Sequence, residues 1–186
     1  MLILNTSAVL NLIGSGKPRL IILNLAPHKV LVPKAVEQEI QNELGDPTSS
    51  LAGLISDRVI SIIEANAEIT ELALELAGAP SPDNLDDGES FAIACAACTG
   101  AAIGIDDRKA RRITADRWPG LEQKFSFDLL AEAAVNAVLS RAEYADLLYC
   151  AMKNTRMRIP KESRAAVIQL VGLERARECL SLGTIR

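Results

Sequence analysis

Residues 101–113 read AAIGIDDRKARRI. The apolar run 101–105 fits a short buried strand, and residues 107–116 continue as a basic amphipathic helix. Two aspartates, Asp106 and Asp107, fall at the junction. A strand that turns directly into a helix is half of a βαβ unit, and the same order recurs outward along the chain. MLIL (1–4), KVLV (29–32) and RVISII (58–63) each precede a helical pattern. Repetition of that kind predicts an α/β fold with a parallel sheet over residues 1–125. Helices are expected at 18–25, from Pro33 with Val36, Ile40 and Leu44 on one face, at 66–77, and at 88–99. Thr48 and Ser49 can cap a further helical piece before 66–77. After Phe125 only helical patterns remain, at 128–141, 143–154, 161–171 and 173–182. Residues 126–186 are therefore expected to form a helical extension packed on or appended to the core.

Composition narrows the chemistry. The chain has 186 residues, 49% of them hydrophobic, enough for a sizeable core. No run reaches the ~18 apolar residues of a membrane span, and no signal peptide stands at the start, which predicts a cytoplasmic protein without a membrane partner. Cys95 and Cys98 form a C-x-x-C pair, but AIACAACTG (92–100) is a small apolar helix in which free cysteine packs as a hydrophobe. His28 is the single histidine, set in a turn with no nucleophile nearby, so histidine-based catalysis has little to stand on. LIGSGKP (12–18) fails as a phosphate loop, because Asn11 stands where glycine is needed and Pro18 where Ser or Thr is needed. Net charge is −4, so nucleic acid would have to be met by a local basic patch.

Chemistry is then left to carboxylates at element ends. Glu39 lies on the second helix, beside the Val36/Ile40 face. Asp86, Asp87 and Glu89 open the buried helix in LDDGESFAIA (85–94). Each has a structural use: Asp86 with Glu89 is a D-x-x-E capping box, and Asp106 or Asp107 caps the basic helix. Collectively they point further. The carboxyl ends of parallel strands share one edge, where ligands bind, and Asn5 and Asp106/Asp107 both lie at such ends. Clustered carboxylates repel, raise one another's pKa and invite a hard divalent cation, magnesium or manganese in a set without histidine. Arg108, Lys109, Arg111 and Arg112 follow directly, which suits a phosphodiester.

Four segments resemble one family. NTSAVL (5–10), VPKAVEQEI (32–40), LDDGESFAIACA (85–96) and IGIDDRKARRI (103–113) look like the acidic motifs of PIN-domain nucleases, the family that includes VapC-type toxins, in their usual order. The resemblance covers residues 1 to about 115, and residues from roughly 125 onward carry no signature of it. It implies a three-layer α/β/α fold with a mostly parallel central sheet, here with extra C-terminal helices. It implies an Mg2+- or Mn2+-dependent ribonuclease acting on RNA, with an antitoxin protein as partner and a homodimer as assembly. Carried over by position, the catalytic and metal-binding set is Asn5, Glu39, Glu89 and Asp107, with Asp106 the alternative to its neighbour. Ser7, Arg108 and Arg111 would meet substrate, and Asp86 and Thr6 would support the set from behind. The departure is Asn5, where the family has aspartate. Asparagine keeps the shape but removes a ligand charge, so metal affinity should fall. That fits a weakened nuclease, a non-catalytic protein-binding or regulatory module, or a substitution that disarms a toxin.

Overall fold

The computed structural model describes residues 1–43 and 45–183, with the side chains of residue 43 and of 45–49 set aside. Leu44 and the side chains of Thr48 and Ser49 thus lie outside the described residues. Among the described residues five strands form one all-parallel sheet: β1 (Leu2–Leu4), β2 (Val30–Pro33), β3 (Ser61–Ile63), β4 (Ala102–Gly104) and β5 (Gln123–Lys124), in the order β3-β2-β1-β4-β5. With the helices around it this is the expected three-layer α/β/α class. The first four strands coincide with the apolar runs. β5 does not, because Gln-Lys carries no apolar pattern; it is a strand only because Ile103 N–H donates to Glu122 O and Ile105 N–H to Lys124 O.

The strand order decides where a site can form. From β1 the chain builds outward through β2 and β3, then returns to β1's other side with β4 and β5. Order therefore reverses between β1 and β4, and in such sheets the crevice at the carboxyl ends of the two central strands is where ligands bind. Leu4 pairs with Gly104, and Asn5 N–H donates to Gly104 O at 3.2 Å, so the residues after β1 and β4 start side by side.

Most of the remaining residues are helical: α1 (Thr6–Gly14), α2 (Pro18–Leu23), α3 (Lys34–Glu43), α4 (Gly45–Ser56), α5 (Ala67–Ala77), α6 (Asp87–Thr99), α7 (Arg108–Arg117), α8 (Ser126–Asn136), α9 (Arg141–Thr155), α10 (Arg164–Val171) and α11 (Leu173–Arg177). None is long and apolar enough to cross a membrane, among the described residues. α6 is apolar on almost every side and is buried to match. Ala92, Ile93, Ala94, Cys95 and Ala96 are fully buried in one cluster with Ile3 and Ile103 of the sheet and Ile69, Ala73 and Leu76 of α5. Burying a side chain such as Ile93 stabilises the fold by ~1.5–3 kcal/mol. Cys95 is thus a core residue, and burial pushes its thiol up to about 11.

The described chain divides into two compact units, Met1–Val9 with Pro27–Phe125, and Leu10–Ala26 with Ser126–Arg186. The second unit ties α1 to the C-terminal helices. Asn11 Nδ2 donates to Ser126 Oγ at 3.2 Å, Thr155 Oγ1 donates to Asn11 Oδ1 at 2.5 Å, and Asn154 Nδ2 donates to Gly14 O at 2.8 Å. α8 ends at Asn136 rather than 141 because Val138 turns left-handed (φ 52°) and Ser140 opens α9 through a capping box with Glu143. The stretch 173–182 is likewise not one helix: α11 stops at Arg177 and a 3-10 turn covers Leu180–Leu182.

Candidate active site

Asn5 ends β1 and opens α1. It is almost fully buried, and its Oδ1 accepts from Ala8 N–H at 2.9 Å and from Ser7 Oγ at 3.0 Å. Short polar side chains at this position satisfy the orphan N–H groups of a first helical turn. Asn5 is therefore a helix cap, and Ser7, with its hydroxyl turned back onto the cap, holds it in place.

Thr6, one residue on, reaches a different element. Its Oγ1 donates to Glu39 Oε2 of α3 at 2.6 Å. The contact exists because Gly88 of α6 has no side chain. A methyl there would fall on Glu39 Oε2, with Thr6 Oγ1 at 2.5 Å and Glu39 Cδ at 3.2 Å. Thr6, Glu39 and the start of α6 thus converge on one point. Glycine at 88 leaves room for the Thr6–Glu39 contact, which neither helix propensity nor capping would reveal.

Glu89 follows Gly88. Asp86 Oδ1 accepts its N–H at 2.7 Å, the forward half of the expected capping box. The return half is weak: no full capping box forms, and the Asp86 backbone N–H pulls the Glu89 carboxyl down only slightly. Burial, then the charges of Asp86 and Asp107, push Glu89 up to about 7, against a smaller opposing pull from Lys109. Burial is the larger cause, and the neighbouring charges place Asp86, Asp107 and Lys109 within electrostatic reach of Glu89.

Asp107 caps α7, its Oδ1 accepting from Lys109 N–H at 2.7 Å and Ala110 N–H at 3.1 Å. Asp106 is buried and Asp107 half-exposed, and Asp107 is the one whose charge acts on Glu89. The basic residues behind them divide by role. Arg111 Nη1 donates to Ile105 O at 3.1 Å and its guanidinium stacks 3.7 Å from the Phe125 ring centroid, so it is held inward. Lys109 donates to Asn84 O and Arg112 pairs with Asp83. Arg108 is exposed and, among the described residues, makes no hydrogen bond or ion pair.

Two residues escaped the sequence reading. Glu64 follows β3, so it too stands at a strand's carboxyl end, and the rule that singled out Asp106 and Asp107 reaches it in RVISIIEAN. Gly88 stands in the LDDGESFAIACA stretch that resembles the family, but the sequence does not say what glycine is needed for there.

The donor set suits magnesium or manganese in kind, since it is all oxygen and includes a half-buried carboxylate that its surroundings destabilise. In arrangement it is open: among the described residues no three His, Cys, Asp or Glu side chains form a group that would hold a metal. Magnesium commonly takes one or two protein carboxylates and keeps waters or phosphate oxygens for the rest, so an open set accommodates it.

Comparison with known proteins gave no matching curated protein and no matching solved structure. The family DUF3368, described as PIN domain, matches residues 1–173. The match runs well past residue 125, so the helical region that carries no motif in the sequence reading lies mostly inside the family's own extent. The chain belongs to the PIN-domain family, whose fold is of the nuclease type.

Proposed function

We propose that the protein is a divalent-metal-dependent endoribonuclease of the PIN type, its activity weakened by Asn5. The observation that carries this reading is the meeting of Glu39 and Thr6 over Gly88, next to a Glu89 destabilised by burial and by Asp86 and Asp107, beside the point where strand order reverses. One or two carboxylates of the set Asn5, Glu39, Glu89 and Asp107 would hold magnesium or manganese, with waters or phosphate oxygens completing its shell; the ion would supply charge neutralisation at the phosphodiester and an activated water. The chain's own residues prepare that chemistry. Thr6 fixes the direction of the Glu39 carboxylate through one short hydrogen bond. The α7 N–H groups fix Asp107. Glu89, raised to about 7 while no cation neutralises its neighbours, would give up its proton as metal binds. Arg108 meets a flanking phosphate with its free guanidinium. Residues 1–125 carry the site and 126–186 a helical extension. By the VapC resemblance, the cellular setting is a cytoplasmic toxin that acts as a homodimer and is restrained by an antitoxin protein.

A second reading, a non-catalytic binding module, is favoured by one observation: Asn5 Oδ1 is already engaged by two donors as a cap. One experiment separates them. Aspartate caps as well as asparagine does, so Asn5→Asp keeps α1 while adding a ligand charge. The nuclease reading expects tighter manganese binding by calorimetry and new or faster cutting of a labelled RNA pool, abolished by a further Glu89→Gln. Unchanged metal affinity and no cutting in Asn5→Asp would leave the module reading standing.

A further inference from the structure

A cleft of about 540 Å³ opens beside Glu39, between the carboxyl ends of β2 and β3 and the first turns of α3 and α6. Its lining includes Gln38, Glu39, Glu64, Thr70, Asp87 and Phe91. A volume of this order suits a small ligand such as a nucleoside. Three features narrow the ligand. First, Phe91 is half-buried and packs against the core cluster while also lining the cleft, so a firmly seated aromatic ring borders the space. Bases of single-stranded RNA stack on such rings. Second, the cleft is rich in acceptors. Glu64 and Asp87 are exposed and, among the described residues, neither accepts a hydrogen bond. Third, the lining cation is neutralised, because Lys34 pairs with Glu37 at 2.5 Å. Such a cleft repels phosphate and favours a neutral ring with N–H donors on its edge.

We propose that this cleft binds a nucleobase bearing an exocyclic amino group, in the nucleotide next to the cleaved phosphate, with Phe91 as the stacking face and Glu64 or Asp87 accepting the amino hydrogens. Guanine, cytosine and adenine offer those donors. Uracil presents two carbonyls around one N–H and is the poorest match to carboxylates. The inference rests on the nuclease reading for the phosphate's place but concerns a different set of residues.

The test uses the unaltered chain with manganese and fluorescent ten-nucleotide RNAs: all-uridine, or the same strand with one central G, C or A. Anisotropy should show tighter binding of the three substituted strands. Phe91→Leu, which keeps an apolar side chain in the core, should weaken those strands by roughly five- to a hundred-fold, the range of base–aromatic stacking. Phe91→Tyr, which keeps the ring, should bind as the parent does, and Glu64→Gln should narrow the gap between substituted and all-uridine strands. Thermal melts confirm that each variant is folded. Manganese-dependent binding that is equal for all four strands and indifferent to Phe91→Leu overturns the base cleft while leaving the nuclease reading intact. Failure of every strand to bind overturns both.

Discussion

Glu89→Gln offers the most direct measurement of the site's electrostatics. The carboxyl sits near 7 in the folded chain against an ordinary 4.5, through burial and through the neighbouring Asp86 and Asp107. A raised acid favours the protonated folded state. Its contribution is therefore complete below about 4.5 and is lost as pH rises through 7. The full shift corresponds to ~3.4 kcal/mol at 1.36 kcal/mol per unit. Glu89 is half-exposed, and solvent screening reduces the expected loss to ~1–2 kcal/mol. Glutamine has the shape without the titration. In urea unfolding with a chelator present, the parent and Glu89→Gln should be equally stable near pH 4. At pH 8 the variant should be more stable by ~1–2 kcal/mol, or a few degrees in Tm for a chain of this size. Other titrating groups cancel in the difference. Added manganese should favour the parent, because a ligand that binds only the folded state stabilises it by mass action. A difference that stays flat from pH 4 to pH 8 would mean that the Glu89 carboxylate is not destabilised and that no acidic cluster surrounds it.

Further expectations concern single contacts. Gly88→Ala gains helix propensity of ~1 kcal/mol but drives a methyl into the flexible end of Glu39; stability should stay within about 1 kcal/mol of the parent. Manganese affinity in calorimetry should fall about tenfold or more if Glu39 is a ligand with a charge to contribute, and unchanged affinity would remove Glu39 from the site. Arg111→Ala loses the Ile105 carbonyl and the Phe125 ring, which should cost ~1–2 kcal/mol in chemical denaturation with little change in the salt dependence of RNA binding. Arg108→Ala should do the reverse, leaving stability unaltered and lowering the salt slope by ~0.7, as loss of one phosphate contact to a single strand does. Gly14→Ala pushes a methyl against Thr155 Cγ2 and should destabilise the Leu10–Ala26 and Ser126–Arg186 unit by ~1–3 kcal/mol, seen as a lower denaturation midpoint.

Sequence alone determined what depends on local pattern. Apolar runs became β1 to β4, and the buried β1, β2 and β4 are apolar along their length because both their faces are covered. Asp86 and Asp107 were readable as caps, because a cap satisfies N–H groups two or three residues away. Only the tertiary structure decided the rest. Gln123–Lys124 is a strand because β4 offers it hydrogen bonds, not through any pattern of its own. Arg111 follows Asp107 in the basic run, yet it turns inward because Phe125 and the Ile105 carbonyl lie there, while Arg108 stays free. Glu64 lines the cleft because β2 and β3 end beside one another. Glu39 meets Thr6 across 33 positions of chain, through a gap that Gly88 leaves open on a third element. Hydrophobic period and capping are recorded residue by residue along the chain. A carboxylate's charge state and partners depend on which distant backbones are brought within a few ångströms, and packing alone fixes that.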